Sequence, residues 1–153
     1  MITLFIGRFQ PFHKGHLRDV KDALGFSEKV VIGVGSSEEA GTAENPFSFE
    51  QRSEMIQRAL HDANISRFEI IAIPDINEDS AWVGHVKKIV GEFDLVYTGN
   101  AHTKELFEKA GVPVRGVRFL KGVSGTITRE MMEKGDAWRK LVPKSVAGYL
   151  ENL

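Results

Sequence analysis

Five short apolar runs, each the right length for one buried strand, recur along this chain with a stretch of helical spacing between each pair. The runs are ITLFI (Ile2 to Ile6), KVVIGVG (Lys29 to Gly35), FEIIAI (Phe68 to Ile73), DLVYTG (Asp94 to Gly99) and VRGVRFL (Val114 to Leu120), the last interrupted by Gly116. Strands that are apolar at nearly every position must be covered on both faces, which an open antiparallel sheet does not provide and crossover helices do. The intervening segments supply those helices. GHLRDVKDALG places Leu17, Val20, Ala23 and Leu24 on one side and stops at Gly25. Ser48 and Gln51 have capping-box spacing before FEQRSEMIQRAL. Ser80 reads as the cap of AWVGHVKKIVG, and AHTKELFEKAG stops at Gly111.

The alternation predicts an α/β fold: a Rossmann-like, doubly wound, parallel five-stranded sheet with right-handed crossovers. Residues 126–153 read as short helices broken at Gly135 and Pro143, and residues 1–153 as a single domain. At 153 residues such a domain has enough interior to support a cleft. A formal net charge of -1 gives no global attraction to nucleic acid or membrane, so any anion site has to be built locally. The absence of cysteine removes disulfide and thiolate chemistry. No apolar run approaches the ~20 residues that span a bilayer, and the expected location is cytoplasmic.

In a doubly wound sheet, ligands bind beyond the carboxyl ends of the strands. The loops that belong there are unusually rich in cations, imidazoles and small polar residues. After strand 1 comes GRFQPFHKGH (Gly7 to His16), after strand 2 Gly35-Ser36-Ser37, and after strand 3 Asp75-Ile76-Asn77, with Trp82 soon after. Strand 4 is followed by Thr98-Gly99-Asn100, and strand 5 by Lys121 to Thr126, opening a helix that carries Arg129. Glycine beside a strand end lets an anion approach the main chain, and a following helix N-terminus offers unpaired N–H groups. His13 and His16, three apart at a helix entry, share one small volume. The pattern is that of an anion site.

Familiar nucleotide motifs are excluded by spacing. GVGSSEE has Glu38 where a dinucleotide fingerprint needs its third glycine, and no Gly-x-x-x-x-Gly-Lys-Ser/Thr run exists. Without cysteine or His-Glu-x-x-His, the residues offer no dedicated zinc site.

GRFQPFHKGH together with SGTITR resembles the nucleotidyltransferase superfamily whose signatures are His-x-Gly-His and Ser/Thr-Gly-Thr before a helix, here His13 to His16 and Ser124 to Thr126. The stretches GSSEEAGTAENPFSFEQR, DINEDSAWVGHV and VYTGN are similar to those of archaeal-type nicotinamide-nucleotide adenylyltransferases, and the likeness spans nearly the whole chain. The resemblance implies transfer of adenylate from ATP to nicotinamide mononucleotide, giving NAD and pyrophosphate, with Mg2+ on the polyphosphate. It implies catalytic roles for Arg8, His13, His16 and Arg129. ATP would be bound by these together with Gly7, Phe9, Gly15, Gly99, Asn100, Ser124, Gly125 and Thr126. The mononucleotide would be bound by Phe9, Gln10, Gly35, Ser36, Asp75, Ile76 and Trp82, the indole stacking on the nicotinamide ring. A homo-oligomer, often hexameric, is implied as well. One departure is Glu44, which stands where some relatives carry a phosphate-binding arginine.

Plainer roles compete for several of these residues. Ser124 and Thr126 read equally as helix caps, Trp82 as a core aromatic and Asp75 as a turn former after Pro74. His61 reads as solvated, His85 as a hydrogen-bonded helix residue and His102 as a neighbour of the site. Two other functions remain open: a transferase of the same superfamily acting on phosphopantetheine, a flavin mononucleotide or a polyol phosphate, and a nucleotide-binding regulator without catalysis.

Overall fold

The five apolar runs pair into one all-parallel sheet with strand order β3-β2-β1-β4-β5 in a computed structural model that describes residues 1–153. The strands are β1 (Ile2–Gly7), β2 (Lys29–Gly35), β3 (Phe68–Ile73), β4 (Leu95–Thr98) and β5 (Val114–Gly116). β1 lies centrally, in register with β2 from Ile2 opposite Lys29 and with β4 from Thr3 opposite Leu95. The chain order therefore reverses between β1 and β4, the position at which a doubly wound sheet opens a crevice. The helices are α1 (Lys14–Phe26), α2 (Phe49–Asp62), α3 (Asp79–Val90), α4 (Ala101–Lys109), α5 (Gly125–Lys134) and α6 (Lys144–Glu151), with a 3-10 turn at Ala137–Leu141. None is long and apolar enough to cross a membrane.

The chain divides into two compact units. One contains Met1–Arg8, Val20–Ser37 and Arg67–Arg118, and so holds the whole sheet with α3 and α4. Its core is built from Leu4, Ile6, Val31, Ile73, Val96, Val83, Val86 and Phe107. Gly33 sits mid-strand because a Cβ there would lie 2.6 Å from Ile73 Cδ1. The other unit contains Phe9–Asp19, Glu38–Ser66 and Phe119–Leu153. There α2 turns Met55, Ile56, Ala59 and Leu60 inward and packs against α6, with the Arg58 guanidinium 4.8 Å from the centre of the Tyr149 ring. Fully buried Arg52 closes this unit, its Nε donating to Ser48 O at 3.2 Å and its Nη2 to Glu39 O at 3.4 Å.

Ser48 and Gln51 form the expected capping box. Two local expectations are corrected. α3 is entered at Glu78, and Ser80 lies inside the first turn, where its hydroxyl donates to Glu78 Oε1 at 3.1 Å instead of capping. β5 ends at Gly116, not Leu120: Val117 N still donates to Thr98 O, but Arg118 turns away to pair with Asp22 at 2.9 Å and Phe119 is 76% exposed. Pairing with β4 runs only from Val96 opposite Val114 to Thr98 opposite Gly116, and past that register no ladder holds the chain extended. The breaks at Gly135 and Pro143 fall where expected, as the C-cap of α5 and the N-cap of α6.

Candidate active site

The residues singled out by sequence form two groups, one in each unit. In the sheet unit a cleft of about 590 Å³ opens at the carboxyl ends of β1 to β4. Gly7 and Arg8 line it from β1, Gly35 and Ser36 from β2, Asp75 and Ile76 from the loop after β3, Trp82 from α3 and Asn100 from the end of β4. Ser36 adopts a left-handed conformation (φ 47°) that turns its hydroxyl to donate to Asp75 Oδ1 at 3.1 Å. Asn100 caps α4, its Oδ1 accepting from Thr103 N at 2.9 Å. Trp82 does two things at once. Its ring packs edge-on against core Phe107, 5.5 Å between centroids, while it also lines the cleft. Exposed Gly99, between two of the lining residues, does not line it.

Ile6, Asp79, Thr103 and Leu106 carry no motif in the sequence, whereas Thr98 belongs to the strand 4 loop expected at the ligand face and His102 to the expected neighbours of the site. All six line the cleft, and His102 Nε2 lies 3.1 Å from Asp79 Oδ2. The usable signal was positional: Asp79 and His102 both fall in the first turn of a helix that follows a strand carboxyl end.

The other unit holds the two signatures. His13 and His16 stack, ring centroids 3.6 Å apart and planes within 15°. Their spacing is that of a capping box, and they use it as one. His16 N donates to His13 Nδ1 at 3.2 Å, His13 N donates to His16 Nδ1 at 3.1 Å, and Leu17 N donates to His13 O at 3.1 Å. An imidazole nitrogen that accepts from an amide carries no proton, so each neutral ring keeps its proton on Nε2 as a donor. Burial pushes His13 down to about 4, and burial followed by the neighbouring His13 holds His16 well below the ordinary histidine range. At neutral pH both rings are uncharged.

Phe9 and Phe12 support the pair. Buried Phe9, left-handed at φ 55°, sets its ring 4.7 Å from His16 in an edge contact, and Phe12 stacks on His16 at 5.4 Å. Gln10 is also buried, and its amide is committed to the main chain of Phe47: Nε2 donates to Phe47 O and Phe47 N donates to Oε1, both at 2.9 Å. Neither Phe9 nor Gln10 lines the sheet cleft. Exposed Glu44 lies three residues before Phe47.

Gly15 is required by its neighbour, since a Cβ there would come 2.8 Å from His13 Cε1 and 3.0 Å from Nδ1. Gly15→Ala suits a helix, but displacing the His13 ring costs the cap bond and the stack on His16, so the thermal midpoint is expected to fall by several degrees with the protein still folded. At a temperature where the variant is fully folded, the displaced His13 ring should lower kcat by at least about tenfold, the size of one lost positioning group. Unchanged turnover in this variant would mean that the ring's position is immaterial.

Ends of the polypeptide 119 residues apart meet in this unit, where Arg129 Nη1 donates to Gln10 O at 2.8 Å. The guanidinium lies over Gly125, where a Cβ would be 2.9 Å from Nη1. Ser124 caps α5, accepting from Ile127 N at 3.1 Å, and Thr126 stands exposed in the first turn. The arrangement thus presents two helix N-termini, a guanidinium and two imidazole N–H groups, all of them donors to an anion.

A family model described as cytidylyltransferase-like matches residues 4–131. A nicotinamide-nucleotide adenylyltransferase from Thermococcus sibiricus is 41% identical over 100% of this chain and 84% of its own length. One from Pyrococcus furiosus is 39% identical over 98% of this chain and 82% of its own. Among solved structures, a bifunctional NMN adenylyltransferase/ADP ribose pyrophosphatase from Francisella tularensis, complexed with AMP and Mn ion, superposes with a TM-score of 0.81 at 30% identity. That likeness covers 99% of this chain and 48% of the bifunctional one, so the chain spans about half of that protein.

Proposed function

Since the chain belongs to the nicotinamide-nucleotide adenylyltransferases of the cytidylyltransferase-like family, we propose that it joins ATP and nicotinamide mononucleotide into NAD and pyrophosphate, with residues 1–153 working as a single nucleotidyltransferase domain. The observation that carries this reading is the reciprocal histidine cap beside α5, a set of neutral and cationic donors with the character a triphosphate needs. In the proposal His13, His16, Arg129 and the main chain at Gly15, Ser124, Gly125 and Thr126 hold the phosphates of ATP. The sheet cleft receives the mononucleotide against Gly35, Ser36, Asp75, Ile76 and Trp82, with the indole stacking on its ring, and Arg8 serves the ATP phosphates. Gly99 and Asn100 lie near the adenosine. Arg8 is the last residue of its unit before Phe9 opens the other.

The chemistry is displacement at phosphorus. A phosphate oxygen of the mononucleotide bonds to the α-phosphorus, and the bond from that phosphorus to the bridging oxygen breaks, its electrons leaving with pyrophosphate. A phosphate monoester has its second pKa near ~6 and is mostly dianionic at neutral pH, so no side chain has to remove a proton. The neutral imidazoles suit this, because their work is to position the triphosphate and stabilise charge as pyrophosphate departs. The groups gathered at the two helix N-termini include no carboxylate, the usual protein ligand of a hard divalent ion. A divalent ion, Mg2+ in this proposal, therefore enters as part of the nucleotide substrate and neutralises the polyphosphate. A cytoplasmic, homo-oligomeric protein, hexameric as the resemblance implies, completes the reading.

Pyrophosphate release is the deciding assay, run with ATP, Mg2+ and, separately, nicotinamide mononucleotide, flavin mononucleotide, phosphopantetheine and a polyol phosphate. Release with the first and formation of NAD are expected. Turnover confined to another acceptor would move the chain elsewhere in the superfamily, and ATP binding without turnover on any acceptor would make it a regulator.

A further inference from the structure

The sheet cleft carries more negative charge than an anionic mononucleotide calls for. Its charged lining is one cation, Arg8, against two carboxylates, Asp75 and Asp79, with His102 beside the second. Asp75 is engaged by the Ser36 hydroxyl. Asp79 opens α3, three positions before Trp82, and residues at that spacing share a helix face. His102 Nε2, from the first turn of α4, lies 3.1 Å from Asp79 Oδ2 and ties this carboxylate across the gap between the two helices. The aromatic wall of the cleft is therefore flanked by a carboxylate held from a second element.

We infer that Asp79, oriented by His102, is a specificity determinant that admits a pyridine ring bearing a neutral carboxamide and disfavours the same ring bearing a carboxylate. The inference rests on the adenylyltransferase reading above. The pyridinium ring of the mononucleotide has a fixed positive charge, which a neighbouring carboxylate favours. A ring carboxylate would cancel that charge and set a like charge beside Asp79. The carboxamide adds hydrogen-bonding atoms without charge. Two unit charges about 4 Å apart interact by roughly 1 to 4 kcal/mol between bulk water and a protein surface. Asp79 is 67% exposed, so the lower end of that range applies, which corresponds to discrimination of about fivefold. His102 acts through Asp79 and is a positioning residue.

The test measures kcat/KM for nicotinamide mononucleotide and nicotinic acid mononucleotide at saturating MgATP in wild type, Asp79→Asn, His102→Ala and His102→Gln. Asp79→Asn is expected to lower the amide-to-acid ratio by about fivefold, chiefly through a lower KM for the acid. His102→Ala should move the ratio part of the way, and His102→Gln, which restores a donor to Asp79, should return it toward wild type. A ratio within about twofold of wild type in Asp79→Asn, or an equal loss on both substrates, overturns the inference while the adenylyltransferase reading stands. A wild-type protein that adenylates neither mononucleotide overturns both. Calorimetric titration of the two mononucleotides into wild type and Asp79→Asn without ATP repeats the comparison free of the chemical step and is expected to show the same shift in relative affinity.

Discussion

His16→Asn is expected to leave the protein folded and lower kcat by roughly a hundred- to a thousandfold, the range seen when one preorganised donor to a developing charge is removed. The reason lies in the two nitrogens of the ring. Nδ1 accepts from His13 N and helps cap α1, whereas Nε2 carries the proton available to a phosphate. An asparagine oxygen falls close to where Nδ1 was, so it preserves the cap and loses the outward donor. His16→Ala loses both, together with stacking against His13, Phe12 and Phe9, and should lower stability as well as turnover. ATP affinity, measured by titration, should fall by less than about tenfold in His16→Asn, because Arg129, His13 and the helix N-termini continue to hold the triphosphate. Equal losses in affinity and turnover would assign His16 to binding alone.

Acid should destabilise the fold before the carboxylates titrate. His13 has a pKa of about 4 when folded against an ordinary value of 6.5, and His16 is depressed in the same direction. Below pH 6.5 the unfolded chain takes up protons that the folded chain refuses, so stability is fully present above 6.5 and drains away as pH falls toward 4. For His13 alone the loss by pH 5 is about 2 kcal/mol, and His16 adds to it with the same sign. Urea midpoints taken between pH 7.5 and 5 would show the slope. His13→Asn should flatten it, since asparagine supplies an oxygen for His16 N and does not titrate in this window. A variant whose midpoint falls with pH as steeply as wild type would place the proton uptake elsewhere. Turnover is a poorer probe here, because the attacking phosphate itself gains a proton near pH ~6.

Much of the fold was legible because its signals are local. The apolar runs and their alternation with helical spacing foretold a parallel sheet, and the box at Ser48 and Gln51 stood out because both partners lie within one turn. Where a single residue had to choose between local options, sequence was a weaker guide. Ser80 had the right type for a cap but the helix began ahead of it, and the apolar tail of the fifth run left the sheet after Gly116. The site was legible as a collection of donors. The histidine spacing announced a shared volume, although its second meaning, a reciprocal cap that sets the tautomer of each ring, needed the bonds themselves.

The amino-acid sequence by itself determined which chemistry was available: two imidazoles, glycines at the points of close approach, guanidinium groups, and strands that demand cover on both faces. Tertiary structure decided which of these groups were left to meet a ligand. Gln10 was withdrawn by the main chain of Phe47, 37 residues on, and Asp79 was given a partner in His102 on another helix. Periodicity extends over a few residues, whereas a polar group about to be buried must find whatever complementary atom the folded chain brings to it, and that atom's place along the sequence leaves no local mark.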